Sequence, residues 1–268
     1  MLPAVGARAR HGRHSLQGRD MAVRAAWGLA ALLGLAPPAW AESCRLALVL
    51  ALDVSVSVDP AEDQLQRDGL ARALLAPEVI QAFLHGGPVA LFVFEWAGPS
   101  YQVNVTPGWR MVQTEEDLAR AAGALHAGRG RKESRRARDG STALGTALLY
   151  AAAALSNAPP CAARTVDVSG DGENNQGLGP AEAYASPLLD GVTVNALIID
   201  RLRVKAVRPE GIALVAWFRA HVLHGSGAFW VLAKDYEDYE RAMRAKLLRE
   251  LELPMVGEGP ARTMRSPS

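Results

Sequence analysis

Residues 45–59 have the sequence Arg-Leu-Ala-Leu-Val-Leu-Ala-Leu-Asp-Val-Ser-Val-Ser-Val-Asp. The run up to position 52 is almost entirely apolar, which is typical of a strand buried on both faces, as in a parallel sheet. Asp53 ends this run, and two serines follow it at alternate positions. In open α/β sheets, ligands bind beyond the carboxyl ends of the strands. The stretch therefore predicts a central strand followed at once by polar side chains at a binding edge.

The chain downstream alternates strand-like and helix-like segments. Further strands are predicted at 88–95, 101–106, 164–169, 192–199 and 228–232. Helices are predicted at 60–75, after Pro77, and at 114–125, 142–155, 180–189, 209–222 and 236–251. This alternation predicts one α/β domain over residues 44–252, with a doubly wound, mostly parallel six-stranded sheet and helices on both faces. We expect residues 253–268 to form a loose tail.

The N-terminal segment has the layout of a targeting sequence. Residues 1–20 carry four arginines without apolar periodicity, and Met21 is a candidate for the true start. An apolar stretch at 25–35 leads to Ala-Trp-Ala at 39–41, which predicts a signal peptide cleaved after Ala41. The alternative is an uncleaved anchor, but the apolar stretch is short of the ~20 residues that span a bilayer. We expect a periplasmic or secreted protein.

The charge balance argues against a nucleic-acid partner. Cleavage after Ala41 removes five arginines and one aspartate, which leaves 24 basic and 27 acidic residues and a net charge of −3. Nucleic-acid-binding domains carry a basic excess instead. Because no later segment has the length and apolar character of a membrane span, we expect no stable membrane insertion after cleavage.

Three polar clusters are predicted at the carboxyl edge of the sheet. The first is Asp53 with Ser55 and Ser57, the second begins the helix at Thr142, and the third contains Asp171 after the strand at 164–169. All of these side chains are oxygen donors. Oxygen donors suit hard cations, so the clusters predict a site for Mg²⁺, with Mn²⁺ or Ca²⁺ as alternatives.

These clusters resemble a known motif. Asp-x-Ser-x-Ser at 53–57, Thr-x-x-Gly-x-Ala-Leu at 142–148 and Asp-Gly at 171–172 resemble the metal-ion-dependent adhesion site (MIDAS) of von Willebrand factor A domains. The resemblance covers about residues 46–251. The chain also resembles a family of exported bacterial proteins of unknown function with this fold, through phrases such as Asp-Val-Ser-Gly-Asp-Gly-Glu-Asn-Asn at 167–175.

The resemblance implies a ligand set and a mode of binding. Ser55, Ser57 and Thr142 would contact the metal directly, whereas Asp53 and Asp171 would bind it directly or through water. One coordination position would stay open for a carboxylate of an acidic protein or peptide. The implied function is thus that of a metal-dependent protein-binding module.

The chain departs from the motif at two positions, and other interpretations of the site exist. Val56 stands where such motifs often have glycine, and Gly170 where threonine is usual. Asp-x-Ser after a strand is also a common helix-capping loop, so one alternative is a structural domain with an empty site. Another is a metal-dependent hydrolase with Asp53 or Asp171 as base. Since the sequence offers no separate general base, we expect a protein that is not an enzyme.

A basic segment precedes Thr142. Residues 129–138 contain six lysines and arginines. Such a run usually forms a solvated loop. Its position beside the predicted metal site also makes it a candidate for attracting an acidic partner, with Arg135, Arg136 and Arg138 as the steering residues.

The two cysteines occupy similar positions relative to the two aspartates. Cys44 lies nine residues before Asp53, and Cys161 lies ten before Asp171. The resembling fold places the first and fourth strands side by side, so both cysteines would lie near the opposite edge of the sheet. Neighbouring strands are ~4.8 Å apart and bridged cysteines have Cα atoms ~4.4–6.8 Å apart. We predict a Cys44–Cys161 disulfide; the alternative is two buried free thiols.

Overall fold

The structure is a computed structural model that describes residues 44–127, 141–200 and 209–252, with only the backbone for 209–212. The predicted signal peptide, the basic segment with Arg135, Arg136 and Arg138, and the predicted tail lie outside the described residues. Among the helices of the described parts, none combines the length and the apolar character needed to cross a membrane.

Strands and helices alternate through the described chain. The strands in these ranges are β1 (Cys44–Asp53), β2 (Val89–Trp96), β3 (Gln102–Asn104), β4 (Arg110–Val112), β5 (Cys161–Gly170), β6 (Thr193–Ile199) and β7 (Trp230–Ala233). The helices are α1 (Pro60–Leu74), α2 (Pro77–Leu84), α3 (Glu115–Ala127), α4 (Leu144–Leu155), α5 (Pro180–Tyr184), α6 (Pro209–His221) and α7 (Tyr239–Glu252), with a 3-10 turn at Pro187–Leu189.

The strands form one mixed sheet with β1 near its centre. The order is β3-β2-β1-β5-β6-β7, and β4 also pairs with β2. The pairs β2–β1, β1–β5, β5–β6 and β6–β7 are parallel. Strands β3 and β4 run antiparallel to β2. The predicted doubly wound, mostly parallel α/β fold is therefore confirmed.

The edge of the sheet differs in detail from the prediction. The sheet has seven strands in the described residues, one more than the six predicted, because β3 and β4 each pair with one half of β2. The strand predicted at 101–106 is β3, whereas β4 was not predicted, because three residues are too few for an alternating pattern to emerge. The helix predicted at 180–189 is a short helix, α5, followed by the 3-10 turn.

Alternate residues of β1 enter two separate cores. Leu46, Leu48, Leu50 and Leu52 pack in the core that includes residues of α1, α2, α3 and α7. Ala47, Val49 and Ala51 pack in the core that includes residues of α4 and α6. Because successive side chains of a strand point to opposite faces, a strand between two helical layers must be apolar at every position, as β1 is.

A buried charged network lies between β5 and α7. The ammonium of Lys246 is 2.8 Å from Asp167 Oδ1 and 2.6 Å from Glu250 Oε1, and all three side chains are buried. Asn195 Nδ2 donates to Glu250 Oε1 at 3.0 Å. Burial and the charge of Glu250 raise the pKa of Asp167 to about 7, while Lys246 opposes the rise. The network fixes α7 against the sheet.

The two cysteines form a disulfide in the structure. Cys44 and Cys161 are paired across β1 and β5, and their Cα atoms are 4.4 Å apart. The bond joins residues 117 positions apart, at the end of the strands opposite Asp53. It therefore ties the first residues of the two central strands together.

Removing this bond should lower the free energy of unfolding. A loop of this length corresponds to on the order of 5 kcal/mol in the chain-entropy model, and strain or residual denatured structure reduces that figure. Urea unfolding of the Cys44→Ala/Cys161→Ala variant should show the loss, and wild type treated with reductant should match the variant. Two free thiols in the oxidised, denatured wild type would contradict the pairing.

Candidate metal centre

The first loop of the site follows β1. Asp53 is fully buried, and its Oδ1 accepts a hydrogen bond from the Ser55 backbone N–H at 2.8 Å. Its backbone carbonyl accepts one from Gln66 Nε2 at 2.9 Å. Asp59 then starts α1 through a capping box with Glu62, in which its side chain accepts from the first-turn N–H groups. The loop is thus held at both ends, which fixes the backbone that carries the two serines.

Hydroxyl groups connect this loop to the end of β5. Ser55 Oγ lies 2.9 Å from Ser57 Oγ, and Ser57 Oγ donates to Asp171 Oδ1 at 2.6 Å. Ser55 and Asp171 are buried, whereas Ser57 is half-buried. The structure therefore brings four of the five predicted residues together, with Asp53 joined to the others through the backbone of Ser55.

Thr142 is held against the loop after β5 by backbone contacts. It is buried, and its backbone N–H donates to Asn175 Oδ1 at 2.8 Å, while its carbonyl accepts from the Asn175 N–H at 2.9 Å. The Gly145 N–H donates to Asn174 Oδ1 at 3.1 Å. The loop after β5 thus carries Asp171 and also holds the segment containing Thr142. Sequence analysis missed this role of the two asparagines.

Tyr236 is a second residue that sequence analysis missed. It precedes α7, is buried, and its hydroxyl donates to Asp171 Oδ2 at 3.0 Å. Burial, and after it the negative charges of Asp171 and Asp53, raise the pKa of Tyr236 well above its ordinary value. The phenol therefore stays protonated. No local pattern reveals a contact between residues 65 positions apart.

A buried ion pair supports the neighbouring strand end. Glu95 of β2 pairs with Arg67 of α1, and both side chains are buried. Arg67 Nε is also 3.1 Å from Asp63 Oδ1. Breaking a buried pair by removing one partner leaves an uncompensated charge, so this pair anchors α1 beside the site.

The structure accommodates both departures from the motif. Val56 is 73% exposed, so its side chain projects into solvent between the two serines. A Cβ atom on Gly170 would lie 3.4 Å from both Asp53 Oδ2 and the Phe218 ring, with Trp96 nearby. The aromatic rings occupy the space beside Gly170, which leaves little room for a larger residue.

The donor set fits a hard cation. Two carboxylates and two hydroxyls from the loops after β1 and β5 lie at the carboxyl edge of the sheet, and the Thr142 segment is hydrogen-bonded to the loop that carries Asp171. Within the described ranges, no group of three or more histidine, cysteine, aspartate or glutamate side chains has the geometry of a metal site. Carboxylate and hydroxyl oxygens, with waters completing the coordination, are ligands that suit a hard cation such as Mg²⁺.

Gly145 allows the Thr142 segment to pack against the loop after β5. A Cβ atom at this position would overlap the carbonyl oxygens of Leu178 and Gly179. Gly145→Ala should lower the free energy of unfolding by about 2 kcal/mol, because overpacking forces the backbone to shift.

A matched control is Gly123→Ala in α3, where the added Cβ meets no atom within 4 Å. This control should be stabilised by about 0.5–1 kcal/mol, because alanine is the better helix former. Denaturant unfolding of both variants checks the prediction, and equal stability of the Gly145 variant and wild type would contradict the packing.

Solved structures share this fold at low identity. Proximal thread matrix protein 1 from the mussel byssus, with a zinc-occupied MIDAS motif, is 17% identical, with 79% of this chain and 49% of that chain covered and a TM-score of 0.51. The pilus adhesin SpaC from Lactobacillus rhamnosus GG, in its open conformation, is 12% identical, with 78% and 30% covered and a TM-score of 0.54. A von Willebrand factor type A structure from Catenulispora acidiphila is 16% identical, with 78% and 43% covered and a TM-score of 0.49.

The chain spans about half the length, or less, of the solved chains it matches. No match was found among curated proteins. The family model described as protein of unknown function (DUF1194) matches residues 43–255, which include every described strand and helix. The chain therefore belongs to the DUF1194 family and has a von Willebrand factor A-like fold.

Proposed function

We propose that this protein is an exported, metal-dependent binding module that captures a protein or peptide through a carboxylate. The observation that carries the proposal is the continuous chain of oxygen atoms from Ser55 through Ser57 to Asp171, beside the buried Asp53. Such a cluster concentrates negative charge and oxygen lone pairs in one small volume. Both the charge and the lone pairs would stabilise a bound divalent cation.

The residues that would hold the cation are those of the motif. Ser55, Ser57 and Thr142 would contact it directly, and Asp53 and Asp171 would bind it directly or through water. Mg²⁺ is the proposed ion, with Mn²⁺ or Ca²⁺ as alternatives, and the zinc-occupied motif of the mussel protein supports a divalent ion. When bound, the cation would supply a positive charge with a coordination position open to a partner's carboxylate.

The proposed partner is an acidic protein or peptide. The likeness to a pilus adhesin and a thread matrix protein supports a role in protein binding. The basic segment would favour an acidic partner, since exposed charges raise the association rate of oppositely charged molecules. Arg135, Arg136 and Arg138 are the proposed steering residues.

Export agrees with the cysteine chemistry. The Cys44–Cys161 disulfide supports an oxidising compartment, because such bonds persist outside the cytosol. Together with the signal peptide predicted at residues 1–41, it supports a periplasmic or secreted location.

Binding is favoured over hydrolysis by the contacts of the candidate base. Both carboxylate oxygens of Asp171 accept hydrogen bonds from hydroxyl groups, Oδ1 from Ser57 and Oδ2 from Tyr236. These two contacts hold the carboxylate of Asp171 in one orientation with both oxygens engaged, which suits cation binding better than proton abstraction.

Capture of a partner should require both the metal and Asp171. The immobilised protein, loaded in Mg²⁺ with a periplasmic or secreted extract, should release bound protein when a chelator is added, because removing the cation removes the group that holds the carboxylate. A column of the Asp171→Ala variant, which lacks one of the two site carboxylates, should retain no such protein, so the chelator should release none from it. Identical proteins retained on both columns, with or without chelator, would rule out metal-dependent capture.

A further inference from the structure

A column of polar side chains connects the candidate metal centre to the C-terminal helix. Asp167, Ser169 and Asp171 alternate along β5 and its end, so they share one face of the sheet. Each contacts a side chain of α7 or of the residues directly before it. The three contacts are Asp167 Oδ1 to Lys246 Nζ at 2.8 Å, Ser169 Oγ to Tyr239 OH at 2.9 Å and Asp171 Oδ2 to Tyr236 OH at 3.0 Å.

The first two contacts fix the position of α7. Lys246 lies between Asp167 and Glu250, and its ammonium is 5.0 Å from the centre of the Phe229 ring. Tyr239, one turn after Tyr236, is fully buried and bonded to Ser169. Moving the Lys246 ammonium away from the two carboxylates would leave buried charges without a partner. The position of α7 along β5 is therefore fixed.

The third contact places a hydroxyl against the metal-site carboxylate. The Tyr236 ring packs in the core shared by α1 and α7, and its side chain is almost completely buried. Its hydroxyl meets Asp171 Oδ2 while Ser57 meets Oδ1. The carboxylate plane of Asp171 is therefore defined by one contact from the loop after β1 and one from the segment before α7.

We propose that Tyr236 is a positioning residue of the metal centre, which holds the carboxylate of Asp171 in the orientation that receives the cation. The proposal rests on the proposed metal-binding function and extends it to a residue outside the three-part motif. Outer-shell hydrogen bonds of this kind orient metal ligands, and their loss typically costs ~10–100-fold in metal affinity.

Tyr239 provides a matched control. Both tyrosines are buried, both belong to the same core, and both bond a side chain on the same face of β5. Only the Tyr236 hydroxyl reaches a residue of the site. Tyr236→Phe and Tyr239→Phe each remove one oxygen atom, so a difference in metal affinity between them reports on position rather than on packing.

Calorimetric titration of the full chain with Mg²⁺ tests the proposal. The dissociation constant should rise about 10-fold in Tyr236→Phe and stay within about twofold of wild type in Tyr239→Phe. A wild-type dissociation constant in Tyr236→Phe, or equal weakening in both variants, would overturn the positioning role while leaving the proposed function intact. Absence of binding by wild type would instead overturn both.

A second measurement does not depend on the stability of the Tyr236 variant. Saturating Mg²⁺ should change the near-ultraviolet absorption of a buried tyrosine in wild type, because the cation alters the charge facing the Tyr236 hydroxyl. Tyr239→Phe should keep this difference signal. A metal-bound wild type with no tyrosine signal would contradict the contact between Tyr236 and the site.

Discussion

Strands β1 and β5 run side by side through the sheet, and their register determines what lies at each end. Cys44 is level with Cys161 at one end, and Leu52 is level with Ser169 at the other. A shift of one residue would turn every side chain of a strand to the opposite face. It would move the leucines of β1 out of their core and separate the two site aspartates. The same pairing therefore sets the disulfide, both cores and the candidate metal centre.

Around this pairing, the site is assembled from loops that are each held by a different element. The loop after β1 is held by the Gln66 side chain and the start of α1, and the Thr142 segment by Asn174 and Asn175. Asp171 is held by Ser57 and Tyr236. Since the side-chain oxygens are held in position in the absence of a cation, binding a cation would cost little conformational entropy. Preorganisation of this kind increases the affinity of a site whose individual oxygen ligands bind weakly.

Local signals account for what the sequence predicted. The apolar run of β1, the Asp59 cap, and the polar residues that follow β1 and β5 are all visible within a few positions of each other, and the resemblance to adhesion-site motifs placed Thr142 with them. The missed features depend on distant contacts. Nothing near Tyr236 or Asn175 in the chain identifies the residue that each contacts. Strand β4 is likewise defined by its pairing with the distant β2 and not by a local pattern. Secondary structure and the position of Asp53, Ser55, Ser57 and Asp171 at one edge of the sheet were thus predictable, whereas the residues that hold them there were not.

The proposed function requires that the oxygen cluster bind a divalent cation. Diffraction from crystals grown with saturating Mn²⁺, recorded where manganese scatters anomalously, measures the position of the ion directly. One strong anomalous peak is expected at about 2.1 Å from the hydroxyl oxygens of Ser55 and Ser57, the distance typical of small hard cations. A cluster without a peak at saturating Mn²⁺, or a peak elsewhere on the molecule, would contradict the proposed function.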